Sequence, residues 1–164
     1  MIRYLTVDEL IYINEQIPNS DRIHKILLGK QRVRDMNLLE AAWGRPMQSV
    51  FGADAYPTPP AKAAALLHGV ARNHPFADGN KRTATIAALF MLSVNGLRPT
   101  WQPAEALEKI VALAEGKLSA EDFAAWLPVE VCPPSPEPDA AADAAAIADI
   151  MAQHRWLLDE LAAR

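Results

Sequence analysis

Along most of the chain apolar residues recur every three or four positions, and the breaks between runs carry helix-starting or helix-stopping residues. This punctuation constrains the fold more than any other feature. A 3.6-residue period presents one continuous apolar stripe on a helix, whereas on a strand it scatters the same residues over both faces. Thr6-Val7-Asp8-Glu9 reads as a capping box opening a helix to about Gln16, which "IPNSD" then breaks. A second helix near Asp35 carries "MNLLEAAW" and stops at Gly44-Arg45-Pro46. At Thr58-Pro59-Pro60 a threonine cap is followed by prolines in the first turn, where a missing N–H costs nothing. That third helix carries Ala64, Leu66, Leu67 and Val70 inward and ends near Asn73. A fourth starts at about Asn80 and runs through "TIAALFMLSVN" to Gly96. Further helices follow Pro103 and the capped start at Ser119. Strand signals are weak. Residues 47–56 read either as two short extended pieces around Gly52, a hairpin, or as an irregular loop.

With 164 residues, 51% of them apolar, the chain suits one all-α domain with a substantial core. The pattern changes at Pro128. Pro133, Pro134, Pro136 and Pro138 make residues 128–138 a stiff, non-helical linker. Beyond it, in residues 139–164, Ile147, Ile150, Met151, Leu157, Leu158 and Leu161 recur at helical spacing, which predicts one amphipathic helix. A lone helix cannot bury such a stripe, so it covers an apolar face of the body, mediates dimerisation, or acts as a tethered inhibitor.

No run approaches the ~20 apolar residues of a membrane span, and "MIRYLTVDEL" lacks a signal-peptide layout. A single cysteine, Cys132, leaves no internal disulfide and no cysteine-based metal site. These features predict a cytoplasmic protein that engages no membrane. A net charge of −4 gives no general attraction to nucleic acid, so any anion site must be local.

One run is polar enough to be that site: "HPFADGNKR", His74 to Arg82. Two helices ending near Asn73 and starting near Asn80 leave residues 74–79 as the turn between them. The second helix then points its free N–H groups, the positive end of its dipole, back into the turn. Gly79 allows close backbone approach. Asn80 can cap the helix or donate to a phosphate oxygen. Lys81 and Arg82 stand in the first turn, where the dipole disfavours cations, and an anion would compensate them. Around His74 the cations Arg72, Lys81 and Arg82 favour neutral imidazole, the form that accepts a proton from a hydroxyl nucleophile. Asp78 either holds a divalent cation beside phosphate or caps the helix. Phe76 is expected to be a buried anchor. His24, His68 and His154 show no metal-ligand spacing and are expected to be structural or surface residues.

These nine residues match the Fic/Doc signature, His-x-Phe-x-Asp/Glu-Gly/Ala-Asn-Gly/Lys-Arg. "VRDMNLLEAAWGRP", "FGADAYPTPPAKAAALL" and "FMLSVNGLRP" also resemble the Doc (death-on-curing) branch, and together the similarity covers most of residues 1–127. The resemblance implies a compact helical bundle with a small β-hairpin flap at residues 47–57, where an extended segment of the target would be held by strand addition; the tail at residues 139–164 is an addition to that pattern. AMP-transferring Fic enzymes usually have Gly after the Asn and a second Arg three residues past the first. Here those positions hold Lys81 and Thr85, which points to Doc.

Doc-type resemblance implies a kinase that places the γ-phosphate of ATP at the site, with Mg2+ on Asp78 and a threonine of elongation factor Tu as acceptor. His74 would be the base. Gly79, Asn80, Lys81 and Arg82 would hold the phosphates, and Arg72 would clamp another. The resemblance also implies restraint by a cognate antitoxin, since the Ser/Thr-x-x-x-Glu-Gly/Asn inhibitory signature of some Fic proteins is not found. A nucleotidyl transferase of the same fold and a catalytically silent binding module stay as alternatives.

Overall fold

A computed structural model describes residues 1–18 and 27–164; the expectation for His24 lies outside the described residues. The described residues form eight α-helices, two short 3-10 turns and four short strands. Helix α1 is Val7–Glu15, closed by the expected capping box between Thr6 and Glu9. Helix α2, Met36–Gly44, is capped by Asp35, and α3, Pro59–Asn73, by Thr58. Helix α4 is Asn80–Val94, α5 is Pro103–Ala114 and α6 is Ala120–Trp126, capped by Ser119.

Residues 83–92 of α4 are buried without interruption, from Thr83 to Leu92. A helix apolar on every side must be central, and α4 touches α1, α3, α5, the two tail helices and a strand. Its main partner is α3, to which the six-residue turn at 74–79 joins it. On its other side α3 packs against α2, α5 and α6. Gly69 permits the approach to α2: a Cβ there would lie 2.9 Å from that of Ala42.

Residues 47–56 resolve in favour of the hairpin. Strands β1 (Ser49–Val50) and β2 (Ala53–Asp54) pair antiparallel through a turn at Phe51 and Gly52, both with positive φ (52° and 80°). Two consecutive left-handed residues make the kind of turn that matches strand twist in a tight hairpin.

The carboxy-terminal third differs from expectation in two ways. Within the Pro-rich segment, β4 (Val129–Val131) pairs antiparallel with β3 (Leu97–Pro99) just after α4, and Arg98 and Glu130 face each other in an ion pair of 2.6 Å. Beyond it the single amphipathic helix is two. Helix α7 is Ala140–Gln153 and α8 is Arg155–Ala162, hinged at His154, whose ring meets Trp101 edge-on with centroids 5.9 Å apart. The break lets one stripe serve two surfaces, α7 lying on α4 and α8 on α5 and α4. Ile147, Ile150, Leu157, Leu158 and Leu161 are all buried there, so the stripe is used within the chain. Arg3 ties the arrangement to the amino terminus through Asp143 of α7 (2.6 Å), Glu9 of α1 (3.2 Å) and the Ser135 carbonyl (3.0 Å). Among the described residues no helix is long and apolar enough to cross a membrane.

Candidate active site

The turn at residues 74–79 is held from three directions. From below, Phe76 is buried at 1% exposure, as expected of an anchor. From within, the Asn80 side chain closes a ring: Oδ1 accepts the Phe76 N–H at 2.9 Å while Nδ2 donates to the Phe76 carbonyl at 3.0 Å. From the side, residues 32–35 run along the turn like a short strand. Arg34 and Asp35 donate backbone N–H groups to the Pro75 carbonyl, and Ala77 donates to that of Arg32. A buried polar chain continues to α1. Arg32 Nε donates to Asn14 Oδ1 (2.6 Å), and Asn14 Nδ2 donates to the Asp78 carbonyl and to Thr83 Oγ1, each at 2.9 Å. Every polar group in that chain is paired, which rigidifies rather than destabilises a buried network.

This scaffold places the start of α4 as the sequence predicts, with one revision. The cap residue is Gly79, in the left-handed region at φ 74°, which has no side chain to cap the helix, and among the described residues no other side chain is seen to do so. Asn80 therefore does not cap, because its amide is engaged with Phe76. Asp78 precedes the cap residue, and its carboxylate lies 3.7 Å from Arg82 Nη2. First-turn N–H groups are the anion-binding feature of a helix start. They open on a cavity of about 370 Å3 lined by His74, Ala77, Asp78, Gly79, Asn80, Lys81 and Arg82 on one side.

The opposite wall comes from the tail. It is the last turn of α8 and the two residues after it, 161–164, and Lys81 Nζ donates to the Arg164 carbonyl at 3.4 Å. Protein groups thus meet both cations of the first turn, Arg82 through Asp78 and Lys81 through Arg164, yet the cavity between them is open. Arg72 is the predicted residue that the structure keeps apart. Its guanidinium leans on Gly116 at the end of α5, donating from Nη1 to the Ala114 carbonyl at 3.4 Å, and does not line the cavity.

His74 caps the carboxy end of α3 with φ 51° and ψ 56°, a left-handed conformation uncommon for a residue with a side chain. Arg34 holds it there, donating Nε to the His74 carbonyl at 2.7 Å and Nη2 to that of Asn73 at 3.1 Å. The imidazole pKa is lowered from its ordinary value, first by desolvation in the crevice and then by the charges of Lys81, Arg34 and Arg72. Both effects oppose adding a positive charge, so the ring is neutral at pH 7 and ready to accept a proton. Arg34, Asn14 and Arg32 escaped sequence reading because their partners lie far away in the chain. An asparagine at a buried position of α1 is the one local sign of such a network.

Of the remaining histidines, His68 contacts Arg45 and is lowered in pKa by burial and by Arg45, while His154 forms the α7–α8 hinge. Both are structural, as expected.

The sequence model described as "Fic/DOC family" matches residues 4–92, more than half of the chain, including α1, the hairpin, α3, the turn and most of α4. The chain belongs to the Fic/DOC family. Over 70 residues it is also 54% identical to "Toxin Doc" of Mycolicibacterium smegmatis (strain ATCC 700084 / mc(2)155). That match takes in 43% of this chain and 54% of the relative, so the chain spans about half the length of the curated relative it matches. In this Fic/DOC chain the family model ends at residue 92, and α5 to α8 lie outside it.

Proposed function

We propose that the chain is a Doc-like toxin kinase. It transfers the γ-phosphate of ATP to a Thr or Ser hydroxyl of a protein, elongation factor Tu being the acceptor we favour, and so blocks translation in the cytoplasm. A cognate antitoxin restrains it. We read residues 1–127 as the catalytic unit, residues 128–138 as the connector and residues 139–164 as a tail that covers it.

The observation that carries this reading is the uncapped start of α4, opening on a cavity that also holds His74, Lys81 and Arg82. A site of donors and cations with one neutral base suits phosphoryl transfer, where positioning and charge stabilisation do most of the work. In the proposed step the acceptor oxygen attacks the γ-phosphorus, and its proton passes to the His74 imidazole. The bond from the γ-phosphorus to the bridging oxygen breaks, and ADP leaves with the electron pair. Backbone N–H groups from Gly79 and Asn80 onward, with Lys81 and Arg82, meet the charge on the transferred group.

The donor set also fits Mg2+. Among the described residues no three His, Cys, Asp or Glu side chains cluster as a metal cage, so Asp78, at the same cavity, would be the protein ligand beside phosphate oxygens and water. When bound, Mg2+ would neutralise phosphate charge; Asp78 would then exchange part of its contact with Arg82 for the metal.

Lys81 supports the kinase over AMP transfer: it lines the cavity where the AMP-transferring pattern has Gly, adding bulk and charge at the phosphates. Incubating the protein and elongation factor Tu with ATP labelled on the γ- or the α-phosphate tests the reading. Label from the γ-position supports it, and label from the α-position replaces it with nucleotidyl transfer.

A further inference from the structure

The hairpin is too small to hold its own position. Each strand contributes two paired residues, and even a longer isolated hairpin is marginal in water. Its turn is also fully open: Phe51 is 105% exposed and Val50 54%. Something else must fix where it stands, and the structure shows what. Lys62, on α3, is buried at 1% exposure, which is rare for a lysine. Its Nζ donates to the Pro46 carbonyl at 3.1 Å, just before β1, and lies 3.4 Å from Asp54 Oδ2 in β2. The third face of the ammonium lies 5.3 Å from the Tyr4 ring centre. A buried ammonium persists where its donors are met, and here both stems of the hairpin meet them. A second clasp closes the base: Arg45 contacts His68 of α3 and donates to the Tyr56 hydroxyl at 2.7 Å.

Both clasps end on α3, the helix that terminates in His74. At 1.5 Å per residue, Lys62 and His74 are about 18 Å apart along one rigid rod. We propose that Lys62 is a positioning residue for the protein acceptor: by pinning Pro46 and Asp54 to α3, it fixes the hairpin against which the acceptor segment lies at a set distance from the base. This rests on the kinase reading, and on the hairpin as the acceptor's dock.

The test pairs Lys62→Met, an unbranched apolar side chain one atom shorter, with Asp54→Asn, a near-isosteric change at a side chain 59% exposed. Steady-state transfer to elongation factor Tu and amide hydrogen exchange are measured on both. Lys62→Met should raise KM for the acceptor about tenfold, with KM for ATP unchanged, and speed exchange selectively in residues 48–55. Asp54→Asn should shift both readouts the same way by about threefold. A core-filling role alone would instead lower stability throughout and leave the acceptor KM in place. If either variant is folded, the wild type transfers phosphate, and acceptor KM is unchanged, the positioning role is overturned while the kinase stands. A wild type that transfers nothing overturns the kinase, and the positioning role with it. Selective exchange in residues 48–55 would then still report the clasp as a structural one.

Discussion

Arg34 Nε donates to the His74 carbonyl at 2.7 Å, so the guanidinium that braces the end of α3 also sets the charge environment of the ring on the same residue. Neutral imidazole is the working form of the proposed base, and its pKa is lowered by desolvation and then by Lys81, Arg34 and Arg72. Activity should fall on the acid side with a midpoint below the ordinary imidazole value of ~6.5. Arg34→Gln removes one of the opposing charges. It should move that midpoint upward, and a pH–rate profile of the two proteins measures it. An unmoved midpoint in an active Arg34→Gln protein would detach Arg34 from the base.

Asn80 is predicted to matter through the turn rather than through phosphate. Asn80→Ala leaves both Phe76 backbone groups without their partner, at a cost of about 1–3 kcal/mol. Denaturant unfolding should register that loss without any nucleotide present. An unchanged midpoint would show that the ring between Asn80 and Phe76 contributes nothing.

The tail should be needed for folding. Ile147, Ile150, Leu157, Leu158 and Leu161 are all buried, and burial of each such side chain is worth about 1.5–3 kcal/mol. Losing five of them is comparable to the ~5–15 kcal/mol margin of a whole domain. Residues 1–127 alone should aggregate or melt without cooperativity. A monomeric 1–127 with a sharp thermal transition would make the tail an ornament.

How far the molecule was readable from its residues follows from the range of each interaction. The starts of α1, α2, α3 and α6 were legible because Thr6, Asp35, Thr58 and Ser119 cap within three residues of themselves. The hairpin stayed undecided because two residues per strand cannot show alternation. Strands β3 and β4 left no local sign, since pairing Leu97 with Val131 is a long-range event and Pro99 argues against a strand. No Gly or Pro marks the hinge at His154; packing against Trp101, not local preference, divides the stripe. At the site the turn and the helix start after it were legible, but not that Gly79 is the cap and that Asn80 closes a ring on Phe76; Arg34 and the wall from residues 161–164 depend on distant parts of the chain. Arg72 is a different case. The family resemblance offered it as a second phosphate clamp, whereas here the α5 end takes its guanidinium.

Stability should also depend on pH through His154, whose pKa burial lowers. An unfolded imidazole takes up its proton near ~6.5, while the folded one resists until lower pH. Between those two points the unfolded chain binds more protons, so stability rises with pH and is lost on acidification. His154→Phe keeps a ring against Trp101 and removes the proton. Urea unfolding at pH 5.5 and 7.5 should show a smaller difference for this variant than for the wild type; an equal difference would place the titration elsewhere.

The most direct measurement is transfer of label from ATP to purified elongation factor Tu by the wild type and by His74→Ala. The account predicts γ-phosphate on a Thr or Ser of the factor with the wild type and at least a hundredfold slower transfer with the variant, in line with the ~10²–10⁴ that a positioned base contributes. Undiminished transfer by His74→Ala, or no transfer at all by the wild type, would contradict it.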